Sequence, residues 1–302
     1  MMSETILVTT QAEMNAAIER QEGDPLVRIE VCGSASVIAY GSARVYAYDS
    51  ATVYAYGSAN VTALGSASVI AFGSATVTAF DSVTVTALGS ATVSASGSAR
   101  VSAFGSARVH ASDSATVSAY GSANVTASGS ATVYASGSAR VTAYDSATVT
   151  ASGSATVNAS RFVTILRQSP RSMVTGGQVP DLSTPLGWCE YTGAAEASPG
   201  TRILYKGLDA EFRSGHGTAY LPGTEIVAPD WDGGAEECGG GFHFCAHPAA
   251  TLQFIQAVKF VACEVGEADM AAHEFPLYPN KIKARACRVL YECDVHGERV
   301  VK

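Results

Sequence analysis

Charge is scarce in this chain. Only 15% of its 302 residues are Asp, Glu, Lys or Arg, against about a quarter in an ordinary domain. Basic charge is scarcer still: 19 Lys and Arg stand against 27 Asp and Glu, a net charge of −8. A protein gripping nucleic acid by its phosphates shows a basic stripe, so that class is excluded. No run of 18 apolar residues occurs, which leaves no candidate membrane-spanning helix. The opening Met1-Met2-Ser3-Glu4-Thr5 lacks a basic segment before an apolar stretch, so no secretory leader is read there. The seven cysteines, an odd number, suit a reducing compartment better than a disulfide framework. The expected location is therefore the cytoplasm.

What fills the space left by charge is a repeat. Residues 33–160 divide into sixteen octads without insertion or deletion. Column two is always Ser, column five always Val (Val37 to Val157) and column seven always Ala. Column three is Ala except at Val83. Column one is Gly, except for Asp49, Asp81, Asp113 and Asp145, which recur every 32 residues. Alternate residues of a strand face opposite sides. The uniform Ala-Val-Ala columns therefore turn inward, and columns four, six and eight, with Arg44, Arg100, Arg108 and Arg140, face water. Gly, and less readily Asp, accepts the positive φ of a tight corner. Six strand residues and a two-residue corner make one face, and two faces make a coil of 16 residues. Sixteen octads do not divide by three, and the Asp period does not suit a three-faced coil. The fold expected is thus mainly β: a two-faced β-solenoid over 33–166, eight octad coils long, or roughly 38 Å at strand spacing.

The ends of such an array are open sheet edges that need covering. Residues 1–32 supply one cover. Ile6-Leu7-Val8 reads as a strand. Thr10 and Glu13 form a capping box that opens a helix through Met14, Ala17 and Ile18, and Gly23-Asp24-Pro25 stops it. Val27, Ile29 and Val31 then take inward columns. At the other end Phe162 to Leu166 continue the alternation, and the Pro- and Gly-rich residues 167–187 read as a linker. Residues 188–302, with six of the cysteines, read as an α+β domain. Its expected elements are a strand at 203–207, a helix from Pro248 to about 258, and strands over 258–265 and 282–291.

The pattern itself offers two groups of candidate functional residues. In column eight of the odd octads, Tyr40, Tyr56, Phe72, Leu88, Phe104 and Tyr120 form a stripe of large side chains. It reads either as a ladder that stabilises the sheet or as a docking surface for a protein partner, another copy or the C-terminal domain. The repeat itself is neutral, with four Arg and four Asp. A second group, Cys238, His243, Cys245 and His247, has zinc-ligand chemistry without the paired spacing of a zinc knuckle, and packing is the simpler reading. The glycine run Gly239-Gly240-Gly241 is followed by no Lys-Ser or Lys-Thr, so it is no phosphate loop.

Three resemblances bear on function. The run Tyr-Gly-Ser-Ala-x-Val-Thr-Ala resembles bacterial ice-nucleation repeats, and Thr76/Thr78, Thr84/Thr86 and Thr148/Thr150 give the Thr-x-Thr pairs of ice-binding solenoids. Residues of other kinds interrupt both faces. The order Tyr205-Lys206-Gly207, Gly217 to Gly223, Cys238 to His243 and Lys281-Ile-Lys-Ala looks like an uncharacterised domain family of phage and bacterial proteins, which implies a host cytoplasm or a virion. The same domain is similar to the ADP-ribosyltransferase fold, with Gly241 to Ala246 ahead of the 248–258 helix. That similarity implies NAD as cofactor and Tyr205, Lys206 and His243 as catalytic candidates. It departs from the family where Tyr205 or Lys206 stands for His, His243 for Tyr, and Lys281 near the catalytic Glu. The expected function is a structural and interaction protein without a cofactor, a rigid scaffold carrying a partner-binding domain. An NAD-using transferase and an ice-binding solenoid are the alternatives.

Overall fold

The structure, a computed structural model, describes residues 4–234 and 236–301. Met1, Met2 and Ser3, on which the reading of a leader falls, lie outside the described residues, as do Ala235 and Lys302. The chain divides into two compact units, Met1–Val179 and Pro180–Lys302. Among the described residues, no helix is long and apolar enough to cross a membrane.

The first unit is a parallel β-solenoid of 16-residue coils. Each octad pairs in register with the octad sixteen residues on: Val77 lies opposite Val93, and Val93 opposite Val109. Odd octads stack on odd and even on even, so the coil has two faces. The column reading holds. The Val of column five is buried throughout, as is the Ala of column seven up to Ala151, Ala159 of the last octad being half-buried, and the odd residue Val83 is fully buried in column three. From Ser36–Ala39 to Thr148–Ala151 the octad strands are shorter than six residues. Each of these covers columns four to seven, as in Thr92–Ala95, because the turn begins at column eight. There the Ala43 N–H reaches back to the Tyr40 carbonyl at 3.3 Å, closing a turn around Gly41-Ser42.

The corners explain the aspartates. Column-one residues sit at left-handed φ whether glycine or not, with Gly97 at 68° and Asp113 at 55°. That conformation costs an L-residue about 1–2 kcal/mol, and each Asp carries a compensation. Its carboxylate accepts the N–H of the glycine one coil earlier: Asp49 from Gly33, Asp81 from Gly65, Asp113 from Gly97 and Asp145 from Gly129, at 3.0–3.2 Å. Column-two serines stitch corners as well, as Ser50 Oγ does beside Asp49 in donating to the Gly33 carbonyl at 3.0 Å.

The N-terminal cover forms as expected. Strand Thr5–Val8 pairs in parallel with Arg28–Val31, and helix Gln11–Gly23 has both halves of its capping box. Two glutamines of this helix stand in for a missing strand. Gln11 accepts the Ile38 N–H at 2.6 Å and donates to the Ile38 carbonyl at 3.1 Å. Buried Gln21 does the same for Arg44 at 2.7 and 3.0 Å and also donates to Val27. An edge that would otherwise offer unpaired backbone groups is closed by side-chain amides.

At the far end the structure departs from the sequence reading. One strand, Thr156–Arg167, runs unbroken from the last octad through the expected extra strand and pairs with both Arg140–Ala143 and Thr148–Ala151. The segment 167–187, read as a linker, carries strand Met173–Gln178 on the same stack and the first residues of helix Pro185–Thr192. Gly176 and Gly177 are in that strand because the neighbouring backbone leaves no room for more: a Cβ on Gly176 would lie 2.2 Å from the Ala159 carbonyl oxygen.

The second unit is mixed. A five-stranded antiparallel sheet runs in the order Glu196–Ser198, Thr201–Leu208, Lys259–Gly266, Ala286–Cys293, Glu225–Val227. A three-stranded sheet joins Phe242–Phe244, Ile282–Ala284 and Met270–Ala271. The helix expected over 248–258 is a single 3-10 helix, Pro248–Gln253. It lies against Gly207, where a Cβ would meet Thr251 at 2.5 Å and Ala257 at 2.8 Å, and the chain must reach the next strand at Lys259. The strand expected over 282–291 is two strands in different sheets, split at Arg285. That residue gives its N–H to the Asp269 carbonyl and its carbonyl to the Ala228 N–H.

Candidate functional site

On strand Thr201–Leu208, alternation puts Lys206 on the side of Leu204 and Leu208, both fully buried. Its ammonium donates to the His243 carbonyl at 2.7 Å and lies 5.5 Å and 5.8 Å from the ring centres of Tyr220 and Phe244. The surroundings are thiols and aromatic rings, and burial pulls Lys206 down from the ordinary 10.5 to about 8. The thiols do not supply a negative charge, since burial holds Cys245 up at about 12 and Cys263 well above the ordinary value. Beside Lys206 opens a cavity of about 240 Å³, lined among others by Lys281, His216, Cys238, His243 and Phe254.

His243 enters from strand Phe242–Phe244, between two buried rings. Burial first, and the Lys281 charge second, lower its pKa to about 4, so the imidazole is neutral at pH 7. Its Nε2 lies 3.1 Å from the Glu237 carbonyl. A carbonyl only accepts, so Nε2 carries the proton and Nδ1 is left as an acceptor. Glu237 in turn takes the Leu277 and Tyr278 N–H groups on its two carboxylate oxygens at 2.8 and 2.7 Å. Lys281 Nζ donates to Cys238 Sγ at 3.2 Å and stands over the Tyr278 ring at 4.5 Å.

The wall carrying Cys238 is fixed by packing, which accounts for the glycine run. Lys283, 1% exposed, pairs with Asp232 at 2.6 Å and donates to the Glu236 carbonyl. A Cβ on Gly240 would lie 1.6 Å from the Asp230 carbonyl oxygen, and Gly241 has φ 121° beneath the Trp231 ring. Only glycine fits either place.

Of the residues singled out in the sequence, Lys206, His243 and Cys238 come together at this cavity. Tyr205 takes the opposite side of its strand, beside Tyr291 and Cys293. The four residues with zinc-ligand chemistry do not converge. His247 turns to the Thr192 carbonyl at 3.1 Å, and among the described residues no cluster of three His, Cys, Asp or Glu side chains could hold a metal. Lys281, His216 and the wall of Phe254 and Ile255 were not singled out as one site. Alternation in Leu204-Lys206-Leu208, an amine between two core residues, is the signal that locates its floor.

The column-eight stripe is on the solenoid surface as expected. Tyr56 and Phe72 stack with centroids 4.5 Å apart and planes 3° off parallel, and Phe104 and Tyr120 at 4.8 Å and 10°. Tyr40, Tyr56, Phe104 and Tyr120 nevertheless stay about 40% exposed, while Phe72 and Leu88 are half-buried.

The fold and these two surfaces define a β-solenoid scaffold joined to a small α+β domain. Residues 202–298, about a third of the chain, match the family model of a domain of unknown function, DUF7666. No curated protein and no solved structure matches the chain.

Proposed function

We propose that the chain is a structural protein whose solenoid is a self-associating scaffold and whose DUF7666 domain is the part that recognises other molecules. The exposed, stacked aromatic stripe carries this reading. Stacking between coils accounts for one face of the rings in the pairs Tyr56–Phe72 and Phe104–Tyr120, yet Tyr40, Tyr56, Phe104 and Tyr120 remain about 40% exposed on either side of half-buried Phe72 and Leu88, and exposed apolar patches mark contacts. The matching occupant is a second copy. Its rings repeat at the same coil spacing, about 4.8 Å, and the repeat carries equal numbers of Arg and Asp, so two solenoids approach without net repulsion.

Sedimentation of the full chain tests this against the triple variant Tyr56→Ser, Phe104→Ser, Tyr120→Ser. Serine already stands in column eight at Ser136 and Ser152, so the variant keeps the fold. Concentration-dependent association that the variant loses supports the reading. A wild-type monomer over the whole concentration range overturns it.

A further inference from the structure

We propose that the cavity beside Lys206 binds a small organic anion, a carboxylate or phosphate monoester carried on an apolar group, with Lys206 and Lys281 as its cationic partners. The inference stands apart from the self-association of the solenoid and concerns the DUF7666 domain alone.

The argument is an imbalance of charge. A cation held partly out of water keeps a carboxylate beside it, because an uncompensated buried charge is among the costliest arrangements in a fold. Elsewhere in this domain that rule is kept: Arg202 pairs with Glu267 at 2.7 Å, Lys259 with Glu292 at 3.9 Å and Lys283 with Asp232 at 2.6 Å. Lys206 and Lys281, both partly buried, have no carboxylate within ion-pair distance among the described residues, and both face the same cavity. The titratable groups around Lys206 are Cys245, Cys263, Cys287, Lys281, His243 and Tyr220, and none is a carboxylate. Glu237, close by, has both carboxylate oxygens on backbone N–H groups. Lys206 uses one proton on the His243 carbonyl and keeps two donors.

The rest of the lining sets the ligand class. Phe254 and Ile255 give the cavity an apolar wall, with the Lys281 ammonium 5.2 Å from the Phe254 ring centre, which suits an anion on a ring or short hydrocarbon. The volume, about 240 Å³, falls below the roughly 300–1,000 Å³ of sites for drug-sized ligands, so the occupant is small. Neutral His243 adds one acceptor for a hydroxyl or amide on it.

Calorimetric titration of the full chain with benzoate and with phenyl phosphate, and with benzyl alcohol as the neutral control, tests the proposal. The expected result is saturable binding of at least one anion in the millimolar range or tighter. Which of the two binds more tightly distinguishes a carboxylate ligand from a phosphate. Lys206→Met and Lys281→Met should each weaken it about tenfold or more, the loss of one charge-assisted hydrogen bond, and Arg213→Met, on the surface, should not. Affinity should fall as pH rises through about 8, where Lys206 loses its proton. Bound anion should also slow alkylation of Cys238, the exposed cysteine on the rim. Tryptophan fluorescence confirms that each variant is folded, and either lysine variant suffices. Absence of saturable binding by both anions, equal binding of benzyl alcohol, or unchanged binding in both lysine variants overturns the proposal.

Discussion

Replacing Lys206 by Met should make the second unit more stable at neutral pH. Burial lowers this amine from 10.5 to about 8, and each unit is worth about 1.4 kcal/mol, so keeping it charged costs the folded domain about 3 kcal/mol. Methionine fills similar space without charge and gives up the charge-assisted bond to the His243 carbonyl, about 2 kcal/mol. The net gain is about 1 kcal/mol. Its pH dependence follows from linkage. Below about 8 the amine is protonated in folded and unfolded chains alike, and the whole penalty is present. Between about 8 and 10.5 the unfolded chain holds the extra proton, so wild-type stability rises with pH relative to the variant. Above 10.5 both states are neutral and the gain is gone. Guanidinium unfolding followed by tryptophan fluorescence reads this domain by itself, because Trp188 and Trp231 are the only tryptophans and both lie in the second unit. A Lys206→Met variant less stable than wild type at pH 7, or a difference that does not shrink from pH 8 upward, would refute the reasoning.

Three further outcomes follow from the solenoid. Val93→Asp removes a fully buried side chain and places a carboxylate in the core at a cost of about 5 kcal/mol, while Ser94→Asp, exposed one residue along, stays within about 0.5 kcal/mol. Equal circular-dichroism melting temperatures would refute the inward and outward columns. Asp113→Ala should lose about 1–2 kcal/mol, from its φ of 55° and the missing acceptor for the Gly97 N–H, and Asp113→Gly clearly less. The reverse order would mean that the aspartates do not compensate their own strain. Gln21→Leu should leave the Arg44 N–H without a partner and speed its hydrogen exchange about tenfold. Unchanged exchange would show that the helix does not seal the first coil.

Legibility differed between the two units for a physical reason. In the solenoid every residue has one environment per column, so sixteen copies of the Val and Ala pattern state the inward face sixteen times. The N-terminal helix was equally plain, since its Thr10 and Glu13 cap is local. The strand Met173–Gln178 was hidden because Gly176 and Gly177 look like loop residues, whereas their small size is imposed by Ala159 and Ile165 on the neighbouring strand. Past Pro248 the apolar residues suggest a helix, but contact with Gly207 and the short reach to Lys259 cut it to one 3-10 segment. At the site, Lys206 and His243 are candidates through the similarity to the ADP-ribosyltransferase fold, and His243 also through its Cys and His neighbours. Lys281, 75 residues from Lys206 in the chain, is placed beside it only by the fold.

The most direct measurement is sedimentation equilibrium of the full chain beside the variant carrying Tyr56→Ser, Phe104→Ser and Tyr120→Ser. A wild-type dimer or larger assembly that becomes monomeric when the three rings are removed is the result expected of a self-associating scaffold. A wild-type chain that is already monomeric, or an assembly indifferent to the three rings, would contradict it.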